Sequence, residues 1–346
     1  MKALARYAES NVSVRAMRST LVSGAEYEAL ARAPSPGAAW NIIRKTAFGA
    51  VLPDVDWEDL HTAEQYLRHA TALQFRRSVR HLHGRPAIVA TLLLSRWDLD
   101  NLQIALRMWH GRDAEQNGDE PIARYVHRIP FNRIDSAQSI AEIVAALEDT
   151  PYADPIVAAS AEYEKNHSTF AIELSLEKDF YARLIGATTA LGGADAHNGL
   201  AMLGAEIDLL NLAWIGRMLR APHAPGIELM HVLIPGPSKL SQSLKACGAS
   251  HDQFAQVSND YVRRLVPLYD DTSSEMQRLT LLEHAVADAA EALARRQFER
   301  FPFRIACIYA FYLLTRLEMK NLIAVFAGKA AGMNESDVLK RLYAMR

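Results

Sequence analysis

The chain has 346 residues, half of them apolar and 23% charged, with a net charge of −2. That length suits two or three domains, and the composition is that of an ordinary soluble globular protein. So small a net charge gives no sign of a nucleic-acid or anionic-membrane surface, and Cys247 and Cys307, isolated from each other, read as core thiols in a reducing compartment.

Leu4 to Arg32 reads as helical with a break in the middle, because Ser23 and Glu26 have the S-x-x-E form of a capping box that opens a second helix. The Met1–Ser10 stretch lacks the apolar run of a signal peptide. Pro34, Ser35, Pro36 and Gly37 end the second helix, and 38–51 reads as another, closed by Pro53. Leu60, Ala63, Tyr66, Leu67, Ala70 and Leu73 trace one face of an amphipathic helix over 57–82. After a turn at Gly84 and Pro86, a long helix runs over about 87–109, and the polar stretch 111–121 is a linker.

The same plan recurs. A short helix is expected over 139–147, a single long one over 157–185, and another over 200–219 after the glycines at 192 and 193. A second linker spans 221–226. Short helices follow around 241–246 and 254–266. A long one over 279–298 carries Arg295 and Arg296 at its C-terminal end, where cations suit the helix dipole. Phe301 and Pro302 precede the last long helix, which Gly328 and Gly332 end, and Asn334 to Asp337 caps a final helix over 338–345. The apolar run 305–314, flanked by Arg304 and Arg316, is too short for the roughly 20 residues a membrane span needs. No stretch alternates with period two, so the fold class is all-α.

One phrase is repeated in the three long helices: Asp98 with Asn101 and Leu102, Asp208 with Asn211 and Leu212, Glu318 with Asn321 and Leu322. The acids stand 110 positions apart in both intervals, and no other Asn-Leu dipeptide occurs in the chain. Residues four apart share a helix face, so each Asn interrupts an apolar row: Leu93, Trp97 and Ala105 flank Asn101, and equivalent rows flank Asn211 and Asn321. An acid and an amide on a buried face must find partners. The expectation is a polar lock between neighbouring helices within each of three units, 1–112, 113–224 and 225–346.

A search for chemistry yields no catalytic, cofactor or metal site. Asp270, Asp271 and Glu275 loosely resemble the magnesium-binding acids of all-α terpenoid synthases. The second acidic motif such enzymes need is approached only by Asn259 and Asp260, with Arg263 and Pro267 standing where Ser/Thr and Glu belong. His81 and His83 point to different helix faces, Asp195 and His197 lack a third ligand, and the glycines at 192 and 193 precede no G-K-S/T. A generic helical adaptor is the other alternative, although solenoid repeats usually span about 33–47 residues.

The three motifs in register, the helix breaks, and the opening stretch with Tyr7, Val14, Arg18 and Glu26 resemble the central-stalk component of V-type and archaeal A-type rotary ATPases. This is the C subunit of prokaryotic complexes and the d subunit of eukaryotic ones. The resemblance covers nearly the whole chain. It implies three V-shaped helical units of about 110 residues arranged as a pseudo-threefold funnel. It also implies a non-catalytic socket without cofactor, lying on the cytoplasmic face of the membrane. Such a socket couples the rotating D/F-type shaft subunits to the proteolipid ring that moves protons or sodium ions. Arg107 and Arg217 follow the first two motifs by six positions, whereas Ala327 holds that place in the third and Ile323 replaces the family's usual arginine.

Overall fold

The computed structural model describes residues 2–111, 125–218, 232–246, 256, 257, 260, 275–299 and 304–343, with the main chain alone for 2–5, 215–218 and 275–279. Among them are fourteen α-helices, one 3-10 turn and no strand, so the protein is all-α.

Local signals set most helix starts. α1 (Lys2–Arg18) precedes α2 (Gly24–Arg32), which opens on the full capping box of Ser23 and Glu26. α3 (Pro36–Ile43) begins with proline in its first turn, where the missing N–H costs nothing. A separate 3-10 turn (Ala47–Val51) completes the stretch expected as one helix. Asp59 caps α4 (Leu60–Val79), and the first motif lies on α5 (Arg85–His110). Two short helices follow, α6 (Phe131–Ser136), which has no capping signal, and α7 (Ile140–Ala146), capped by Ser139.

The long helix expected over 157–185 is two helices, α8 (Ala153–Asn166) and α9 (Phe170–Thr189). His167 adopts a left-handed φ of 47° and ends α8. A non-glycine residue in that region is uncommon, so neither glycine nor proline marks the break in the sequence. α10 (Gly193–Met218) carries the second motif and α11 (Lys239–Ala246) follows it. α12 (Glu275–Glu299) precedes α13 (Ile305–Ala330), which carries the third motif, and Asn334 caps the short α14 (Glu335–Leu339). The helix expected over 254–266 lies largely outside the described residues.

The six long helices pack in a closed order: α4 on α5, α5 on α9, α9 on α10, α10 on α12, α12 on α13, and α13 back on α4. α13 also touches α1, α5 and α10. It is buried almost end to end, as its run from Ile305 to Tyr312 requires. One apolar core draws residues from α1, α4, α5, α9, α10 and α13. Within it Phe75, Trp97 and Tyr312 meet at ring distances of 5.8 Å, joining α4, α5 and α13. A second core joins Leu30, Trp40 and Phe48 to Leu322, Phe326 and Val338, so the first and last parts of the chain share apolar packing. Trp40 donates its indole N–H to the Val55 carbonyl at 2.9 Å.

Candidate functional site at the meeting of the motif helices

Each motif acid turns away from the centre of the bundle and takes hydrogen bonds from a segment distant in sequence. Asp98, on α5, accepts from the main-chain N–H groups of Tyr125, Val126 and His127 at 2.8–3.0 Å. Asp208, on α10, accepts from the hydroxyls of Ser238 and Ser241. Glu318, on α13, accepts from the Val22 N–H at 2.7 Å. The acids therefore tie each stretch of about 110 residues to the next, and the third to the first, rather than locking helices within a unit. For Asp98 and Glu318 the physical reason is supply: an acid oxygen needs a donor, and helical N–H groups are already used, whereas non-helical main chain offers free ones. Asp208 is met instead by two serine hydroxyls.

Two of the asparagines, Asn101 and Asn211, read the same segments as their acids with an amide, whereas Asn321 reads a different one from Glu318. Asn211 donates to the Ile234 carbonyl and accepts from its N–H, both at 2.9 Å. Asn321 does the same to Tyr343 at 2.9 and 2.8 Å. Asn101 instead meets the phenol of Tyr125. An amide matches a peptide group donor to acceptor, which a carboxylate cannot. The segment after Ile234 lies close against α10: a Cβ on Gly236 would stand 2.9 Å from Ile207 Cγ2. Asn211→Leu should leave both main-chain groups of Ile234 buried and unpaired, lowering stability by about 2–4 kcal/mol in urea unfolding. A change below about 0.5 kcal/mol would remove the amide from this role.

The side chains that face the centre lie two positions before and after each acid. Two residues are about 200° of helix, so they point roughly opposite to it. Arg96, Glu206 and Arg316 keep the same 110-residue spacing as the acids, and Asp100 and Lys320 stand two positions after theirs. The Arg96 guanidinium bonds Asp100 at 3.0 Å through Nε and grips Glu177 on α9 with both terminal nitrogens. Gln103 adds a bond to Glu177 at 3.0 Å, and Arg316 pairs with the other oxygen of Asp100. Arg96 stacks 5.5 Å over Phe180, and Arg316 lies 5.3 Å over Trp97. Burial alone would raise the Asp100 carboxyl, but Arg316 and Arg96 outweigh it and hold the group near 2.

Of these, Arg96, Glu206, Arg316 and Lys320 line a cleft of about 310 Å³ between α10, α12 and α13. Leu209, Trp214, Val286, Leu313 and Leu317 make its apolar walls, and Lys320 is exposed at its edge. Glu206 receives the Tyr181 hydroxyl at 3.2 Å on one oxygen, while its other oxygen is buried without a partner among the described residues. Burial pushes Glu206 up to about 7 against the pull of Arg96. Burial beside α2 likewise raises Glu318 to about 8.

The family model described as ATP synthase (C/AC39) subunit matches residues 10–341. The chain belongs to that family. Among curated relatives, the A-type ATP synthase C subunit of Halorubrum lacusprofundi is 26% identical over 95% of both chains. That of Methanosphaera stadtmanae is 22% identical over 97% of this chain and 87% of its own length, and that of Haloferax volcanii is 24% identical over 94% of each.

In this member of the C/AC39 family the positions six after each Asn are not equivalent. Arg107 grips Glu173 on α9 with two bonds of 2.9 and 2.6 Å, at an exposed edge where such a pair adds little stability. The side chain of Arg217 lies outside the described residues, and Ala327 offers no charge in the third motif. Ile323 packs against both apolar cores, where an arginine would carry its charge into apolar surroundings. The acidic stretch at 270–274 is outside the described residues. Asp195, considered beside His197 as a metal ligand, instead receives the Tyr7 hydroxyl at 3.1 Å. Sequence reasoning followed the Asn-Leu rows and passed over the inward Arg-Glu-Arg set, although the same 110-residue period marks it.

Proposed function

We propose that the chain is the non-catalytic central-stalk component of a V/A-type rotary ATPase, a socket that couples a rotating D/F-type shaft to the membrane proteolipid ring. The observation that carries this reading is the cyclic tie: three motif acids join each third of the chain to the next and the third to the first. The closed packing order of the six long helices supports three V-shaped units, 1–112, 113–224 and 225–346, set about a pseudo-threefold axis as a funnel. A coupler must carry torque without coming apart, and ties that close on themselves leave no free end to peel. The cleft, with apolar walls and a floor of paired charges, suits the tip of a helical shaft. Among the described residues no helix is long and apolar enough to cross a membrane, which fits a peripheral seat on the ring's cytoplasmic face.

The test is affinity purification of the tagged chain from mildly solubilised membranes of its native host, with co-purifying proteins identified by mass. Recovery of a small, very apolar proteolipid with helical shaft subunits is the expected result. A chain that purifies alone overturns the reading.

A further inference from the structure

At one end of the bundle α1 lies across three places that are far apart in sequence. Its Tyr7 hydroxyl and Arg6 meet Asp195 at the start of α10, at 3.1 and 3.5 Å. Its Glu9 meets His81, just after α4, at 3.1 Å. Its Arg15 donates to the Phe298 carbonyl near the end of α12 at 3.0 Å, and Arg18 stacks 4.6 Å over the Phe298 ring. Arg85 at the start of α5 closes the set by donating to the Ala190 carbonyl at 2.8 Å. These contacts gather one end of each long helix pair into a single face.

That face is strongly cationic. Arg76, Arg77, Arg80 and Arg85 are exposed around the turn between α4 and α5, and Arg15, Arg295 and Arg296 are exposed where α1 meets α12. Arg295 pairs with Glu291, but none of Arg76, Arg77, Arg80, Arg85 and Arg296 has a carboxylate partner among the described residues. Helix electrostatics account for Arg76, Arg77 and Arg296, which lie in last turns, where the dipole favours cations. They do not account for Arg85, which begins α5 at the positive end of its dipole. Two exposed apolar side chains stand among these cations: Ile88, one turn from Arg85, and Val12, one turn from Arg15, at 57% and 69% exposure.

We propose that this end of the molecule turns to the bilayer and binds phosphate-bearing anionic lipid headgroups. Guanidinium forks match phosphate oxygens in pairs. Arginines spread over the ends of several helices suit a broad charged plane, and Ile88 and Val12 can enter the boundary between headgroups and acyl chains. The proposal goes beyond the stalk reading by naming the face that meets the membrane, and it is tested without the other proteins of the complex.

The test is co-sedimentation of the purified full chain with vesicles of phosphatidylglycerol and phosphatidylcholine, and with vesicles of phosphatidylcholine alone. Wild type should bind only the anionic vesicles, and about 0.5 M salt should release it. The exposed triple variant R76Q/R77Q/R80Q should weaken partitioning by about tenfold or more while keeping the wild-type melting curve. The variant R133Q/K165Q, on α6 and α8 away from this end, should bind as wild type. Failure of wild type to bind anionic vesicles, equal binding to neutral ones, or equal losses in the two variants would each overturn the proposal. None of these outcomes bears on co-purification with ATPase components, which tests the stalk reading separately.

Discussion

Arg96→Met should destabilise the fold by about 3–5 kcal/mol, the range for breaking a buried ion pair by removing one partner. The Arg96 and Glu177 side chains are only 12% and 7% exposed, so solvent cannot take over the role of the lost guanidinium. Among the described residues Glu177 would keep its bond from Gln103 alone, and Asp100 its pair with Arg316 alone. Because Arg96 joins α5 to α9 and, through Asp100, to α13, the loss should appear in global urea unfolding rather than as local fraying. The double variant R96M/E177M separates charge from packing. Apolar replacement of both partners is often neutral, so it should recover most of the loss. A single-variant loss below about 1 kcal/mol would mean that the cluster is solvated in solution.

Stability should fall as pH rises from about 5 to about 8, and Glu318→Gln should remove much of that fall. Burial raises the Glu318 carboxyl from its ordinary 4.5 to about 8. Between those values the unfolded chain has lost the proton and the folded chain keeps it. Unfolding then releases a proton, and higher pH favours unfolding. At about 1.4 kcal/mol per pH unit the full window amounts to roughly 4–5 kcal/mol. Glutamine keeps an acceptor for the Val22 N–H and has no proton to lose. Glu206, raised to about 7, adds a slope of the same sign over a narrower window, so E206Q/E318Q should be flatter still. Asp100 acts in the opposite sense: held near 2 by Arg316 and Arg96, it contributes stability at neutral pH that is lost as acid protonates it. Urea midpoints measured at about pH 5.5 and 8.5 decide the matter, and parallel curves for wild type and E318Q would refute it.

Much of this protein was legible from local chemistry alone. Caps at Ser23 and Asn334 mark helix starts because their side chains bond N–H groups three residues on. The 110-residue period marks the helices that matter, since an acid and an amide on apolar rows stand out wherever the chain folds. Where a local signal was missing, the reading failed: His167 ends α8 through a left-handed backbone that neither glycine nor proline announces.

The sequence by itself therefore determined the all-α class, the repeat and its eight marked residues, and the family resemblance. Only the tertiary structure decided what those residues hold. Asp98 reaches about 30 residues along the chain and Glu318 about 300, and no helical pattern encodes a partner beyond its own turns. The same holds for the charges. A net charge of −2 is a sum without positions, and it concealed both the Arg96, Glu206 and Arg316 set at the centre and the arginines gathered at one end. Packing placed one group out of water, where pairing is obligatory, and left the other facing solvent, where Arg76, Arg77, Arg80, Arg85 and Arg296 meet no carboxylate among the described residues.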